Sequence, residues 1–575
     1  MLLTIITFFL ASVLLVLILT LIMMLVDTDL DFDDAFRMLF GFHTGTSSAI
    51  NPDVVLHIIR FIAIMSGTFL FSGMIIAVTT NTLRTYVYNR DSAKGKLRLS
   101  SHIIILRYSK EVPAVLTDLM FDQKRQTVLI LSNAKKKQII ADLDAAVSAL
   151  EEKPPHKLNL IVREGDPTSL RELQEVGVER AKGILVMCDQ HTTGDELSET
   201  DFFGSLNLVL RLANFNLPKD MPIGVETSTQ EAADIMRELR KEIVGLHDKE
   251  IQFFSHHKLL GQFMAISTVN ADLCNVLKDM LDLSGSEFYN ITNTTSIEDY
   301  LENYGAGIPT ISVNGKLVCL GEDLRSVTKK RSAGFTTDRR LEPYKGTQTK
   351  TERKIFVIGE NRKYKYFVEA IKSYAPHAVI KHYKTSDVDD FVTEIATQGD
   401  ENTVVAILSD DAVNGKYDAN VFLTLIELSR VTGVNKRQFK VFAEIIDPSN
   451  QKSLERFNVQ SLVISTQVVS TFATKLLADA KAIDFYEGLL TNTADMEIWV
   501  TPANRVFEMQ NAQTFATYAE FVNAGYYGSV GGVFKIMPLG IIENGQHKFF
   551  CNEMDKEKEF ILNPTDKVVY ARLKK

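Results

Sequence analysis

Apolar residues are unevenly spread along this chain of 575 residues and crowd into the first 86 positions. Leu2 to Val26 contains no charged residue. As a helix it reaches roughly 37 Å, enough to cross a hydrocarbon core of about 30 Å with some tilt. A signal peptide would instead show a basic leader and a shorter apolar run. A second apolar stretch runs from Val54 to Thr82, uncharged from Phe61 onward, with His57 and Arg60 near its start. Those two can snorkel to the outer interface or face protein. Arg84, Arg90, Lys94, Lys96 and Arg98 follow, which puts that end in the cytoplasm by the positive-inside rule. The pattern predicts two transmembrane helices, 2–26 and 54–86, with the N-terminus inside and the connection outside.

The connection, Asp27 to Asp53, is 27 residues long, more than a plain hairpin needs. It opens with Asp27, Asp29, Asp31, Asp33 and Asp34, acids suited to a helix start and to a negative outer mouth. Ala35 to Phe42 is apolar enough for a half-span pore helix, and it runs into Thr44-Gly45-Thr46-Ser47-Ser48. Irregular backbone at membrane depth persists only where protein covers it or it lines a cavity. Carbonyl and hydroxyl oxygens of such a run can coordinate a dehydrated cation. This predicts a pore helix and filter over 33–49, although an ordinary extracellular loop could carry the same residues. The run is not TVGYG, so strict potassium selectivity does not follow. Gly67 and Gly73 suit a gating hinge, and equally suit plain close packing of membrane helices.

From Ser101 the pattern becomes short apolar runs alternating with amphipathic segments. Strands are predicted at His102–Leu106, Thr127–Leu131, Lys157–Val162, Gly183–Met187 and Ile223–Glu226. The rhythm restarts at Ile355–Ile358, Ala378–Tyr383, Val404–Leu408, Phe439–Glu444 and Ser461–Ile464. Helices fall between, such as Val112–Phe121 and Pro167–Val176. This alternation indicates two doubly wound parallel sheets, an α/β architecture. A loose internal repeat pairs Glu164-Gly165-Asp166-Pro167 and its following helix and strand with Ile446-Asp447-Pro448 and its own. Long helices are predicted at His256–Leu283 and Thr466–Leu490, each leading into a smaller lobe, Glu287–Asp323 and Met496–Lys575.

The net charge of −9 gives no nucleic-acid footprint. Cys188, Cys274, Cys319 and Cys551 lie far apart without a CxxC pair, so they read as reduced, buried thiols rather than as a zinc site or disulfide framework. No HExxH, no GxSxG and no clustering of His with Cys indicates catalysis; His191, His256 and His257 read as helix-end or surface residues. The first strand of the first unit runs into Arg107-Tyr108-Ser109-Lys110, and that of the second into Gly359-Glu360-Asn361-Arg362. Neither has the three glycines of a dinucleotide fingerprint, and neither second strand ends in a ribose-binding acid. These absences argue against NAD and against a membrane-tethered oxidoreductase. The chain is not expected to be an enzyme.

From the second apolar stretch to the C-terminus, over about 480 residues, the chain resembles the CASTOR/POLLUX ion channels as a short, bacterial-type member. The resemblance is carried by Gly95-Lys96 through Ser101-His102-Ile103-Ile104-Ile105-Leu106, by Arg163-Glu164-Gly165-Asp166-Pro167 through Leu173, and by Glu287-Phe288-Tyr289. Ile297-Glu298-Asp299-Tyr300 through Ile308-Pro309 and Leu562-Asn563-Pro564-Thr565-Asp566 add to it. It implies a pore domain (1–86), a linker (87–100) and two tandem RCK domains, Rossmann-like with peripheral lobes (101–345 and 346–575). It further implies a homotetramer with eight RCK domains in a ring, cation permeation and calcium regulation. The expected location is the cell membrane, with the N-terminus and the C-terminal domains cytoplasmic. Plant members of the family carry additional N-terminal sequence. The family's filter region contains Ala-Asp-Ser-Gly-Asn, whereas Thr44 to Ser48 here lacks the acid, so calcium permeability does not carry over.

The expected permeant ions are therefore K+ or Na+. The filter is Thr44, Gly45, Thr46, Ser47 and Ser48; the pore mouth is Asp31, Asp33 and Asp34; the hinges are Gly67 and Gly73. Candidate regulatory ligands are acids at C-terminal strand ends, where open α/β sheets bind: Glu164, Asp166, Asp189, Glu226, Glu360 and Glu444. Of these, Glu164, Asp166 and Glu226 are the expected calcium set, and calcium needs about six to eight converging oxygens. A surface acid or helix cap explains any one of them as well. The rival reading is a membrane-anchored RCK-type regulatory subunit of a separate ion transporter.

Overall fold

The computed structural model describes residues 2–43, 55, 58–59, 61–68, 72, 76, 79–80, 95–122, 125–150, 152–188, 196–281, 286–304, 306–313, 316–330, 337–346, 353–359, 361–409, 418–433, 438–478, 482–490, 495–543, 545–551 and 557–574. Two compact units result, Met1–Gly95 and Lys96–Lys575.

In the N-terminal unit a helix spans Leu2–Val26, 25 residues without charge. Side chains are described in it from Val13 onward, and among the described residues no helix is long and apolar enough to cross a membrane. A second helix, Phe32–His43, starts where the acids predicted it. The Asp31 carboxylate accepts the Phe32 N–H at 2.7 Å, which caps the helix. Val16, Leu19, Met23, Leu39, Ile59 and Ala63 form a small buried cluster that holds these helices to Ile59 and Ala63 of the second apolar stretch.

The second unit contains two parallel sheets. The first is ordered β3-β2-β1-β4-β5-β6 and the second β11-β10-β12-β13-β14. Their strands are β1 (His102–Leu106), β2 (Thr127–Ser132), β3 (Asn159–Glu164), β4 (Ala181–Val186), β5 (Ile223–Thr227) and β6 (Ile251–Ser255), then β10 (Lys354–Ile358), β11 (Val379–Tyr383), β12 (Thr403–Ile407), β13 (Lys440–Ile445) and β14 (Ser461–Ile464). Every residue of β1 is buried, as expected for a central strand covered on both faces. All ten predicted strands form; β6 was not anticipated. Matching the orders strand for strand sets β2-β1-β4-β5-β6 against β11-β10-β12-β13-β14, and β3 has no counterpart. The repeat is therefore real, but its register is not the one the Asp-Pro motifs suggest. Asp166 follows β3, whereas Asp447 follows β13, the counterpart of β5.

The first predicted long helix is broken. His256–Val269 and Ala271–Leu281 are separated by Asn270, which leaves helical geometry (φ −150°, ψ 97°). The Asn270 side chain then caps the next helix by accepting the Leu273 N–H at 3.3 Å. In the second half, helix is described over Ser465–Ala478 and Ala482–Leu489.

The two halves exchange these helices. His256–Val269, leaving the first sheet, packs on Tyr364–Tyr374 of the second half, and Ser465–Ala478, leaving the second sheet, packs on Val112–Leu119 of the first. One continuous core, including the fully buried Phe263, Phe367 and Phe472, runs through this seam. Polar ties cross it too: the Ser470 hydroxyl donates to Asp118 at 2.7 Å and the Lys278 ammonium to the Leu462 carbonyl at 2.7 Å. Each half ends in a lobe. The first holds the antiparallel sheet β7-β9-β8 (Glu287–Ile291, Lys316–Gly321, Ile308–Val313). The second holds β15-β20-β17-β18 (Met496–Pro502, Lys567–Leu573, Lys535–Glu543, Gln546–Phe549) and the pair β16-β19 (Gln513–Thr517, Glu557–Leu562).

Candidate functional site

In the first sheet the chain leaves β1 toward β2 on one side and has β4 on the other, so the C-terminal ends of β1 and β4 flank a topological switch point. Four chain segments converge there. Arg107 follows β1, Cys188 follows β4, Glu226 sits near the end of β5, and His256 opens the helix after β6. That helix starts where it does because Ser255 caps it, accepting the Lys258 N–H at 3.4 Å.

Glu226 is fully buried and His256 nearly so. One oxygen of Glu226 accepts the Cys188 backbone N–H at 2.8 Å. The other lies 3.0 Å from Nδ1 of His256. That contact is at ion-pair distance, and neither Glu226 Oε1 nor His256 Nδ1 has another hydrogen-bond partner among the described residues. The Cys188 thiol donates to Asp201 at 3.0 Å. Cys188, Glu226 and His256 each offer one ligand atom, and these lie within 4.8 Å of one another.

Burial raises the Glu226 pKa, which the neighbouring His256 partly offsets. Burial also works against the His256 imidazolium, but Glu226 and Glu111 outweigh it and hold that pKa above its usual value. Burial, with Glu226 and Asp201 alongside, pushes the Cys188 thiol far up. His257 goes the other way, because burial and the adjacent His256 both disfavour its charged form.

Arg107 stands at the end of β1, beside this crevice. It adopts φ +72°, the left-handed position that the first glycine of a fingerprint would fill; Gly359 holds the same place in the second half at φ +101°. The Arg107 guanidinium pairs with Asp201 at 3.4 Å and donates to Ser205 at 3.2 Å. It lies so close to Gly204 that a Cβ there would come within 2.0 Å of Nη2.

The expected calcium set does not converge within the chain. Glu164 ends β3 and accepts the Lys136 N–H at 2.9 Å, capping a helix. Asp166 is exposed and accepts the Thr168 N–H at 2.9 Å, a local turn. Three strands, β2, β1 and β4, separate β3 from β5, about 19 Å at the usual strand spacing. Glu444 is buried in the second half, where Lys363 and Ser465 satisfy it. Asp31, Asp33 and Asp34 are exposed at the start of Phe32–His43, with Asp33 paired to Arg37 at 3.0 Å. Gly67 is buried in helical backbone. Thr44, Gly45, Thr46, Ser47, Ser48, Gly73, Asp189, Glu360 and His191 lie outside the described residues.

One reading of the sequence is corrected here: a Cys does lie beside a His. His256 opens its helix, one of the two placements expected for it, and is buried against Glu226 rather than on the surface. Linear spacing hides this cluster because its members sit 38 and 30 residues apart and are joined only by parallel strand order. All four cysteines are free and buried, as expected.

This architecture is a tandem pair of RCK-type, Rossmann-like domains. The human SLO3 gating ring has the same fold, with a TM-score of 0.53 at 12% identity over 82% of this chain and 99% of that one. The GsuK channel bound to NAD is a weaker likeness, with a TM-score of 0.41 at 13% identity over 99% of this chain and 96% of that one. No family model matches the chain. Its curated relatives bear out the resemblance to the CASTOR/POLLUX ion channels at the level of the family. The probable ion channel POLLUX of Arabidopsis thaliana is 23% identical over 51% of this chain and 34% of its own length. The ion channel DMI1 of Medicago truncatula is 22% identical over 46% and 29%, and the ion channel CASTOR of Lotus japonicus 22% over 48% and 31%. The matches thus span about a third of those relatives. The names are those of ion channels, not of enzymes.

Proposed function

We propose that the chain is one subunit of a ligand-gated cation channel in the cell membrane. Its tandem RCK-type unit regulates a pore built by the N-terminal 86 residues of four copies. The observation that carries this reading is the joining, in one chain, of an uncharged 25-residue helix and a short acid-capped helix to a fold shared with a gating ring. The ion-channel names of the relatives support it. In this reading Leu2–Val26 and the second apolar stretch span the bilayer, Thr44 to Ser48 coordinate K+ or Na+, and Gly67 and Gly73 flex the inner helix. The linker 87–100 passes ring movement to that helix from domains at 101–345 and 346–575. The crevice around Glu226 is where a regulatory ligand acts.

Recordings from the purified chain in planar bilayers, under K+, Na+ and Ca2+ gradients and with calcium or NAD added in turn, test this reading. Cation-selective unitary currents are expected. A second reading, a membrane-anchored regulatory subunit of a separate transporter, is favoured by the gating-ring likeness alone. It predicts no current from the purified chain.

A further inference from the structure

The structural repeat supplies an internal control for the Glu226 crevice. Glu226 on β5 and Glu444 on β13 are counterparts, and the residues around them correspond one to one. The backbone N–H of Cys188 donates to Glu226 at 2.8 Å, and that of Ser409 to Glu444 at 3.1 Å. His256 faces the other Glu226 oxygen at 3.0 Å. Ser465, also the first residue of its helix, donates to the corresponding Glu444 oxygen at 2.5 Å. Asp201 stands beside Cys188 at 3.0 Å as Asp418 stands beside Ser409 at 3.5 Å. Four residues after Arg107 comes Glu111, and four after Gly359 comes Lys363.

The two sites differ in how the buried carboxylate is satisfied. Glu444 accepts from Ser409, Ser465, Lys363 and, at 3.3 Å, Asn361. That site is complete, with its cation built in. In the first half the lysine position holds a second buried acid, Glu111, and both serine positions hold metal-ligating types, cysteine and histidine. Glu226 Oε1 and His256 Nδ1, two buried polar atoms, lie 3.0 Å apart and have no other hydrogen-bond partner among the described residues. A buried pair of this kind is satisfied by a cation shared between the atoms, a proton or a metal ion.

We infer that Cys188, Glu226 and His256 bind a divalent transition metal of the zinc class, which takes the place that the Lys363 ammonium fills in the second half. A thiolate, an imidazole and a carboxylate are ligands for zinc, whereas calcium takes oxygens. Zinc bonds of about 2.0–2.3 Å at tetrahedral angles put neighbouring ligand atoms roughly 3.3–3.8 Å apart, a spacing the three atoms meet with small side-chain movements. On binding, the Cys188 thiol gives up its proton to solvent and the metal takes the sulfur lone pair. Asp201 and Glu111 are the acids at hand for a fourth position.

The inference names the ligand of the crevice to which the channel reading assigns regulation, but its test needs no current. Full-length chain, purified and stripped of metal, is titrated with Co2+ alone, a coloured substitute for zinc. Near-ultraviolet thiolate-to-cobalt absorption saturating at one equivalent per chain is expected, with Zn2+ displacing the cobalt and Ca2+ leaving it. Cys188→Ser should abolish that absorption, and His256→Ser and Glu226→Gln should each weaken Co2+ binding at least about tenfold. Ser409→Ala should change nothing. Absence of the absorption in the parent chain, or its persistence in Cys188→Ser, overturns the inference. Should Cys188→Ser not fold, the decision falls to the other two variants and to whether Zn2+, but not Ca2+, raises the unfolding temperature of the parent chain. If Zn2+ binds and no current flows, the channel reading fails and the site stands; current without metal binding does the reverse.

Discussion

Glu226 and Glu444 occupy one position in two halves of the same fold, yet only Glu444 has an ammonium beside it. The difference arises from single residues, Glu111 against Lys363 and His256 against Ser465. A third acid, Glu298, shows how one side chain can join two lobes. Its carboxylate accepts the Tyr526 hydroxyl at 2.5 Å and lies 3.4 Å from the Lys535 ammonium. Partial burial opposes its ionisation, but Tyr526, its own backbone N–H, Ser296 and Lys535 outweigh this and hold its pKa at about 2. Because the folded value lies below the unfolded one, its stabilisation is full above about pH 4.5 and lost as pH falls through about 2. The side chain is 46% exposed, so solvent screening reduces the gain to about 1 kcal/mol. Glu298→Gln should lower the unfolding free energy by that amount at pH 7, with the gap to the parent chain closing near pH 2. Equal gaps at both pH values would remove the ionic tie.

At the scale of elements, the seam between the halves depends on Gly261 in the helix His256–Val269. A Cβ there would lie 2.8 Å from the Lys363 carbonyl oxygen and 2.8 Å from the Phe367 nitrogen. Those are backbone atoms of the facing helix and cannot swing aside. Gly261→Ala should therefore push the helices apart and cost about 1–3 kcal/mol, read as a lower midpoint of denaturant-induced unfolding. An unchanged midpoint would mean that the seam gives way freely. Elements also show where sequence reading succeeded and failed. The strands His102–Leu106 and Ser461–Ile464 were legible to the residue, because short β-branched runs between polar breaks have few other solutions. Ile251–Ser255 escaped notice because Gln252 and Ser255 interrupt its apolar run. The break at Asn270 escaped because apolar periodicity continues across it.

For the whole molecule, the proposed pore mouth offers the simplest electrostatic test. Asp31, Asp33 and Asp34 are exposed at the start of their helix, so four copies around an axis would concentrate cations there. Replacing all three by Asn should lower unitary conductance severalfold near 0.01 M salt, where the Debye length is about 30 Å, and little near 1 M, where it is about 3 Å. An equal effect at both concentrations would reject the focusing. The sequence by itself determined the local features: an uncharged helix-length run at the start, an acid-capped helix after it, and two alternating strand–helix series, each set by neighbours within a few residues. Tertiary structure alone decided which distant residues meet. Parallel strand order carried Glu164 and Asp166 away from Glu226, brought Cys188, Glu226 and His256 together, and aligned Glu226 with Glu444. The reason is that adjacency in a crossed-over sheet follows strand order, which spacing along the chain does not encode.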